Sequence, residues 1–186
     1  MLCETCGSEA EILPITEDAT PGPLEPYGAS KYMQELCYRG FAGCPVHVMR
    51  FSSVYGDRLR LDDGEATIIA RIAGWVRAGE APVLFEDGRQ IRDWVHVSDV
   101  VATALALLDR GAPGQLVNVC SGTPTTLLEA CRAISRAYGA SVEPRVAGGF
   151  RPGDMRHCLG DPARLRQLIG REPVSFADGA RLAFTA

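Results

Sequence analysis

The sequence predicts an α/β protein. Short apolar, β-branched runs such as VHVMRF and QLVNVC alternate with longer segments whose apolar residues recur at helical spacing. The 186 residues are 46% hydrophobic and 23% charged, enough for one ordinary domain or a domain with a small appendage. The chain carries no internal repeat and no low-complexity segment.

The elements follow in order. Residues 1–26 read as irregular, because TEDATPGPLEP brings three prolines and a glycine into an extended loop. From Ser30 the pattern turns helical, with Tyr32, Leu36 and Phe41 recurring up to about Gly40. Pro45–Phe51 reads as a buried strand, and SVYGDRLR after it as a loop. A helix fits Ala66–Ala78, with Ile68, Ile69, Ile72, Trp75 and Val76 on one side. APVLFEDGRQIRDWVHV gives a short strand, a turn at Asp87-Gly88 and another strand. Ser98 or Asp99 is placed to cap the helix VVATALALLDR, closed by Gly111. QLVNVC is a strand, SGTPTT a turn into a helix over Leu127–Tyr138, and VEPRV a short strand. GGFRPGDMRH is a glycine-rich loop, and DPARLRQLIG a capped helix ending at Gly170.

Composition excludes several functions. A net charge of -4 with no basic block argues against nucleic acid and acidic membranes as partners. No apolar run has the length of a membrane span, and the opening MLCET is not a signal peptide, so the cytoplasm is the expected compartment. Seven cysteines, an odd number lying mostly in apolar stretches, read as buried free thiols. His47, His96 and His157 have no partner at catalytic or metal-ligand spacing and read as ordinary polar or core residues.

The stretch PYGASKYMQE places Tyr27 four residues ahead of Lys31 where a helix starts. One helical turn brings both side chains to one side. An ammonium beside a phenol favours the phenolate, and such a tyrosine removes a proton from a carbinol while hydride leaves the same carbon. Tyr-x-x-x-Lys also recurs by chance, so its surroundings decide the reading.

Those surroundings resemble the extended short-chain dehydrogenase/reductase family, the nucleotide-sugar epimerases and dehydratases, including those acting on dTDP-rhamnose and UDP-sugars. The motifs occur in the family's order over nearly all of residues 12–180: TEDATPGPLEPYGASKYMQE, VMRFSSVYGDR, PVLFEDGRQIRDWVHVSDVVATALALL, LVNVCSGTPTTLLEA and RPGDMRHCLGDPARLRQLIGREP. The resemblance implies the C-terminal part of a Rossmann-type α/β fold with its small substrate-binding subdomain. Residues 27–186 would then carry the catalytic helix, the remaining strands and the sugar-nucleotide subdomain. It implies Tyr27 as general base or acid and Lys31 as its activator and nicotinamide-ribose ligand. Phe51 and Ser52 would line the nicotinamide pocket of NAD. Ser53 stands where the family has an asparagine that contacts substrate. Phe85 would pack on the nucleobase, Arg92 and Arg151 would hold the diphosphate, and Asp154 the nucleotide ribose. Arginine forks suit phosphate oxygens.

Cys3 and Cys6 form one Cys-x-x-Cys pair, half of a four-ligand zinc knuckle, with no second pair in the chain. A rhamnose-epimerase-like insertion would make them its trailing half; an unliganded pair is the other reading. The family's opening strand, Gly-x-x-Gly-x-x-Gly turn and helix, which hold the dinucleotide pyrophosphate, do not appear. The 26 residues before Tyr27 are too few for a βαβ unit of roughly 30 or more. One sheet edge is therefore expected to be exposed. The expected function is an NAD-dependent nucleotide-sugar epimerase, or a dehydratase, acting on a nucleoside-diphosphate sugar. The resemblance implies as protein partner a second copy, paired through the Tyr27 helix and the helix before it, or the N-terminal half. The alternative is a non-catalytic sugar-nucleotide-binding half that needs a separate NAD-binding partner.

Overall fold

The computed structural model describes residues 7–8, 11–40, 43–61, 67–110, 114–150 and 154–185. Helix α1 spans Pro26–Arg39 and so starts at Pro26 rather than Ser30. Proline at the first helical position has its φ preset and lacks only an N–H that would be orphaned anyway. The helix buries Glu35 and no apolar side chain; Met33, Leu36 and Tyr38 are all exposed.

Strand β1 (Val48–Phe51) pairs in parallel with β6 (Leu116–Val119), Val48 opposite Leu116 and Phe51 opposite Val119. The expectation of a buried strand needs correction. Residues 48–50 are half-buried and Phe51 is exposed, because β1 has one strand neighbour among the described residues and α1 offers it no apolar cover.

The SVYGDRLR loop is corrected too, since Ser53–Tyr55 form strand β2, parallel to β5 (Trp94–His96). The chain changes partner at Ser52: its N–H donates to Val119 O at 3.0 Å, and the next, Ser53 N–H, to Asp93 O at 3.0 Å. Strands β3 (Val83–Leu84) and β4 (Ile91–Arg92) flank the Asp87-Gly88 turn but do not pair with each other. β3 runs parallel to β8 (Arg145–Val146), and β4 antiparallel to β7 (Thr125–Thr126).

Helix α2 (Ile68–Arg77) buries Ile69, Ile72 and Val76 as the periodicity predicts. Helix α4 (Leu127–Ala137) opens on a capping box: Thr126 Oγ1 accepts from Glu129 N, and the Glu129 carboxylate accepts from Thr126 N. Helix α3 (Val97–Arg110) begins ahead of both predicted caps. Asp99 lies inside its first turn, fully buried, accepting from Val174 N at 2.9 Å and pairing with Arg171 at 2.7 Å. Helix α5 (Ala163–Ile169) ends as predicted at Gly170, whose φ of 70° is the left-handed cap.

Sequence reading missed helix α6 (Phe176–Ala183) because Gly179 breaks its pattern. The signal was present in Ser175, whose Oγ caps Asp178 N, and in Phe176, Ala180 and Phe184 at helical spacing. Gly179 has a packing reason: a Cβ there would stand 2.0 Å from the Tyr55 hydroxyl.

Two apolar clusters result. One joins α2, α4 and α6 around Tyr55, Trp94, Phe176 and Phe184; the other gathers Val95, Leu107, Val117, Val119 and Leu165 between α3, α5 and the β1–β6 pair. Each such side chain contributes about 1.5–3 kcal/mol on burial. The buried-thiol expectation holds for Cys120 and Cys131, while Cys37 and Cys44 are exposed. Burial pushes the Cys131 thiol up to about 12. No helix among the described residues is long and apolar enough to cross a membrane.

Candidate active site

Two clefts collect the residues that carry chemistry. The first, about 750 Å³, lies between α1 and β1 and is lined by Tyr27, Lys31 and Phe51. The Lys31 ammonium sits 5.5 Å from the Tyr27 ring centroid, so one helical turn places the pair side by side. The Tyr27 side chain is 71% exposed. Ser30 Oγ donates to Tyr27 O at 2.7 Å and steadies the first turn.

Helix α1 is held by charge rather than by apolar contact. Glu35 receives two hydrogen bonds from Arg50, Nε to Oε2 and Nη2 to Oε1, each at 3.0 Å, and one from Arg39 at 3.2 Å. Arg50 Nη1 donates to Glu17 O at 3.1 Å. The buried Glu17 carboxylate accepts from Asn118 N at 2.8 Å, and Asn118 Nδ2 donates to Ile15 O at 2.9 Å. The loop before α1, the helix and the β1–β6 pair are thus locked through Glu17, Glu35 and Arg50. None of these three was singled out from sequence. The usable signal was a glutamate one turn beyond Lys31 and an arginine within an apolar strand.

Ser52 does not line this cleft; its hydroxyl donates to Asp93 Oδ1 at 3.4 Å. Ser53 lies in β2 opposite Trp94 and lines neither cleft. Asp93, 1% exposed, is the junction that sequence reading missed. Its carboxylate accepts from Ser52 Oγ, Ser121 N and Oγ, Gly122 N and Gly160 N. One buried carboxylate therefore ties the end of β1, the end of β6 and the chain before α5 to the strand that carries Arg92.

The second cleft, about 260 Å³, brings together Phe85, Arg92 and Asp154 with Arg71 and Gln90. These come from three separate stretches of the chain. Arg92 Nη1 donates to Ile91 O at 2.9 Å and Arg156 O at 3.0 Å, which orients its guanidinium. Gln90 Nε2 donates to Phe85 O at 2.9 Å and fixes the turn. Arg151, Cys3 and Cys6 lie outside the described residues. Among the described residues no three His, Cys, Asp or Glu side chains converge as a metal site would require. His96 Nδ1 contacts Ser98 Oγ at 2.8 Å and His157 Nδ1 accepts from Ile91 N at 3.2 Å, consistent with structural histidines.

A parallel β1–β6 pair crossed by α3, with a Tyr-Lys helix on one cleft and an arginine-lined pocket on another, is the C-terminal part of a Rossmann-type α/β fold. The chain belongs to the NAD dependent epimerase/dehydratase family, whose profile matches residues 3–120. It is 34% identical to the dTDP-L-rhamnose 4-epimerase of Burkholderia thailandensis over 87% of this chain and 46% of that protein. Among solved structures it resembles the Thermotoga maritima UDP-glucose 4-epimerase with UDP-glucose (TM-score 0.84, 30% identity, 95% of this chain and 57% of that one). It likewise resembles the Thermus thermophilus UDP-glucose 4-epimerase complex with NAD (TM-score 0.80, 29% identity, 95% and 58%). The chain spans about half the length of the curated relatives it matches.

Proposed function

We propose that this chain supplies the catalytic helix and the sugar-nucleotide pocket of an NAD-dependent nucleotide-sugar 4-epimerase. The observation that carries the reading is the convergence of Phe85, Arg92 and Asp154 on one pocket while Tyr27, Lys31 and Phe51 share another. The first set suits a nucleoside diphosphate: an aromatic face, a fork for phosphate oxygens and a carboxylate for ribose hydroxyls. The second suits the nicotinamide end of NAD, with a phenol, an ammonium and an aromatic ring in one cleft. NAD, held at its nicotinamide end by Tyr27, Lys31 and Phe51, would supply a reversible hydride acceptor for a sugar carbon.

In this reading Tyr27 takes the proton from the sugar hydroxyl as that carbon is oxidised and gives it back when the carbonyl is reduced. Lys31 holds positive charge beside the phenol and stabilises it when deprotonated. Arg151 joins Arg92 at the diphosphate. The Gly-x-x-Gly-x-x-Gly turn for the pyrophosphate comes from a segment other than these residues, on the same chain, a second chain or a separately encoded half.

The test is calorimetry of the 186-residue chain with UDP, dTDP and NAD in turn, followed by a 4-epimerase assay on UDP-glucose and dTDP-rhamnose. Binding of a nucleoside diphosphate with retained NAD binding and turnover supports the epimerase. Nucleotide binding without NAD binding selects the alternative, a sugar-nucleotide-binding half that needs an NAD-binding partner. Absence of all three overturns both. In the catalytic case Tyr27→Phe lowers turnover by about 10²–10⁴-fold.

A further inference from the structure

We propose that Arg156 is the positioning residue of the second cleft, clamping its two walls together; this rests on reading that cleft as the sugar-nucleotide pocket. One wall is the turn after β3, carrying Phe85; the other is the segment carrying Asp154, some 70 residues further along. Arg156 joins them twice. Its guanidinium bonds Asp87 through Nη2 at 2.8 Å and Nη1 at 3.2 Å, and pairs with Glu86. Its carbonyl accepts from Arg92 Nη1 at 3.0 Å. A single residue thus fixes the turn that follows Phe85 with its side chain and aims Arg92 with its backbone.

Two further observations point the same way. Glu86 has φ of +52°, the one non-glycine residue in left-handed backbone among those described. Such a conformation persists where the surroundings over-determine it. Here the holds are the Arg156 pair and the 2.8 Å bond from Glu86 N to Gly149 O. The Asp87 carboxyl is held down to about 2, chiefly by its hydrogen bonds from Arg156, so the clamp stays charged at any neutral pH. Bidentate guanidinium–carboxylate contact supplies direction as well as charge, which is what a positioning role needs.

The experiment measures binding of UDP and dTDP, and of uridine and thymidine, to the 186-residue chain by chemical-shift titration. In Arg156→Met the turn loosens while a backbone carbonyl still holds Arg92, so nucleotide and nucleoside affinities both fall, by roughly three- to tenfold. In Arg92→Met the nucleotide weakens and the nucleoside does not. Arg156→Lys recovers part of the loss, and adding Glu86→Gln with Asp87→Asn to Arg156→Met costs little more, as members of one unit do. Unchanged affinity in Arg156→Met, or a loss that appears only with a lowered melting temperature, overturns the clamp. Should the wild-type chain bind none of the four probes, the pocket reading fails. Hydrogen exchange at the Glu86 amide then decides the clamp by itself: faster exchange in Arg156→Met upholds it, and unchanged exchange rejects it.

Discussion

The two sides of this molecule are held by different physics. Around Tyr55, Trp94, Phe176 and Phe184 the chain forms a dry core in which three helices interlock through side chains almost wholly out of water. Tyr55 stacks on Phe184 with centroids 6.2 Å apart and meets Phe176 edge-on at 5.2 Å. Across the molecule, α1 buries one glutamate and leaves Tyr27, Met33 and Tyr38 exposed, with Phe51 of β1 at 55% beside them. Apolar burial is non-directional and sums over many contacts. The Glu35–Arg50 pair is directional and fixes the azimuth of α1, yet it supplies little net stability, because desolvation offsets much of the attraction. The dry-core side is therefore expected to hold its shape firmly, and the Tyr27–Lys31 side to be accurately aimed but loosely attached.

Mutation can break this comparison or sharpen it. The largest effect belongs to Asp93, which serves both sides. Asp93→Ala leaves three buried or half-buried backbone N–H groups and two serine hydroxyls without their acceptor, costing about 3–5 kcal/mol in urea unfolding. A loss below about 1 kcal/mol would show that the two sides are not joined there. Next comes the dry core. Gly179→Ala pushes a methyl group onto the Tyr55 ring and is expected to lower stability by about 1–3 kcal/mol. Tyr55→Phe removes a buried hydroxyl that has no hydrogen-bond partner among the described residues, so it is expected to be near neutral alone and to relieve the Gly179→Ala variant.

Glu35→Ala acts on the charged side at about 1–3 kcal/mol, and its effect is local. Hydrogen exchange should quicken along residues 29–39 while α4 stays protected; equal acceleration of α4 would erase the distinction between the sides. The smallest effect is at the α4 cap, where Thr126→Ala costs about 1 kcal/mol. Hydrogen bonds from Thr126 hold the Glu129 carboxyl below its ordinary range. A depressed folded value means the contribution is full above the unfolded carboxylate range, near 4.3, and is lost as pH falls through the folded value. The difference between wild type and Thr126→Ala should thus shrink under acid in melting curves taken across that range.

What could be read from sequence follows the range of the interaction. Tyr27 and Lys31 are neighbours because one helical turn makes them so, and nothing outside α1 is needed for that. The apolar spacing of α2 and α4, the Thr126–Glu129 cap and the left-handed stop at Gly170 are equally local and equally legible. Strand β2 escaped because three residues carry too little pattern, and their strand character depends on Trp94–His96 arriving alongside. Helix α6 escaped because Gly179 reads as a breaker until the Tyr55 hydroxyl is seen to occupy the space of its Cβ. For the site, the resemblance named Phe85, Arg92 and Asp154 one motif at a time. The sequence by itself determined the helix that pairs Tyr27 with Lys31, the alternation of strands and helices, and the motifs that mark the family. Only the tertiary structure decided that Phe85, Arg92 and Asp154 share a pocket, that Arg50 aims α1 through Glu35, and that Asp93 joins the strand ends. Those contacts link residues far apart in the chain, and their partners are set by which polar groups must find one another once water is gone.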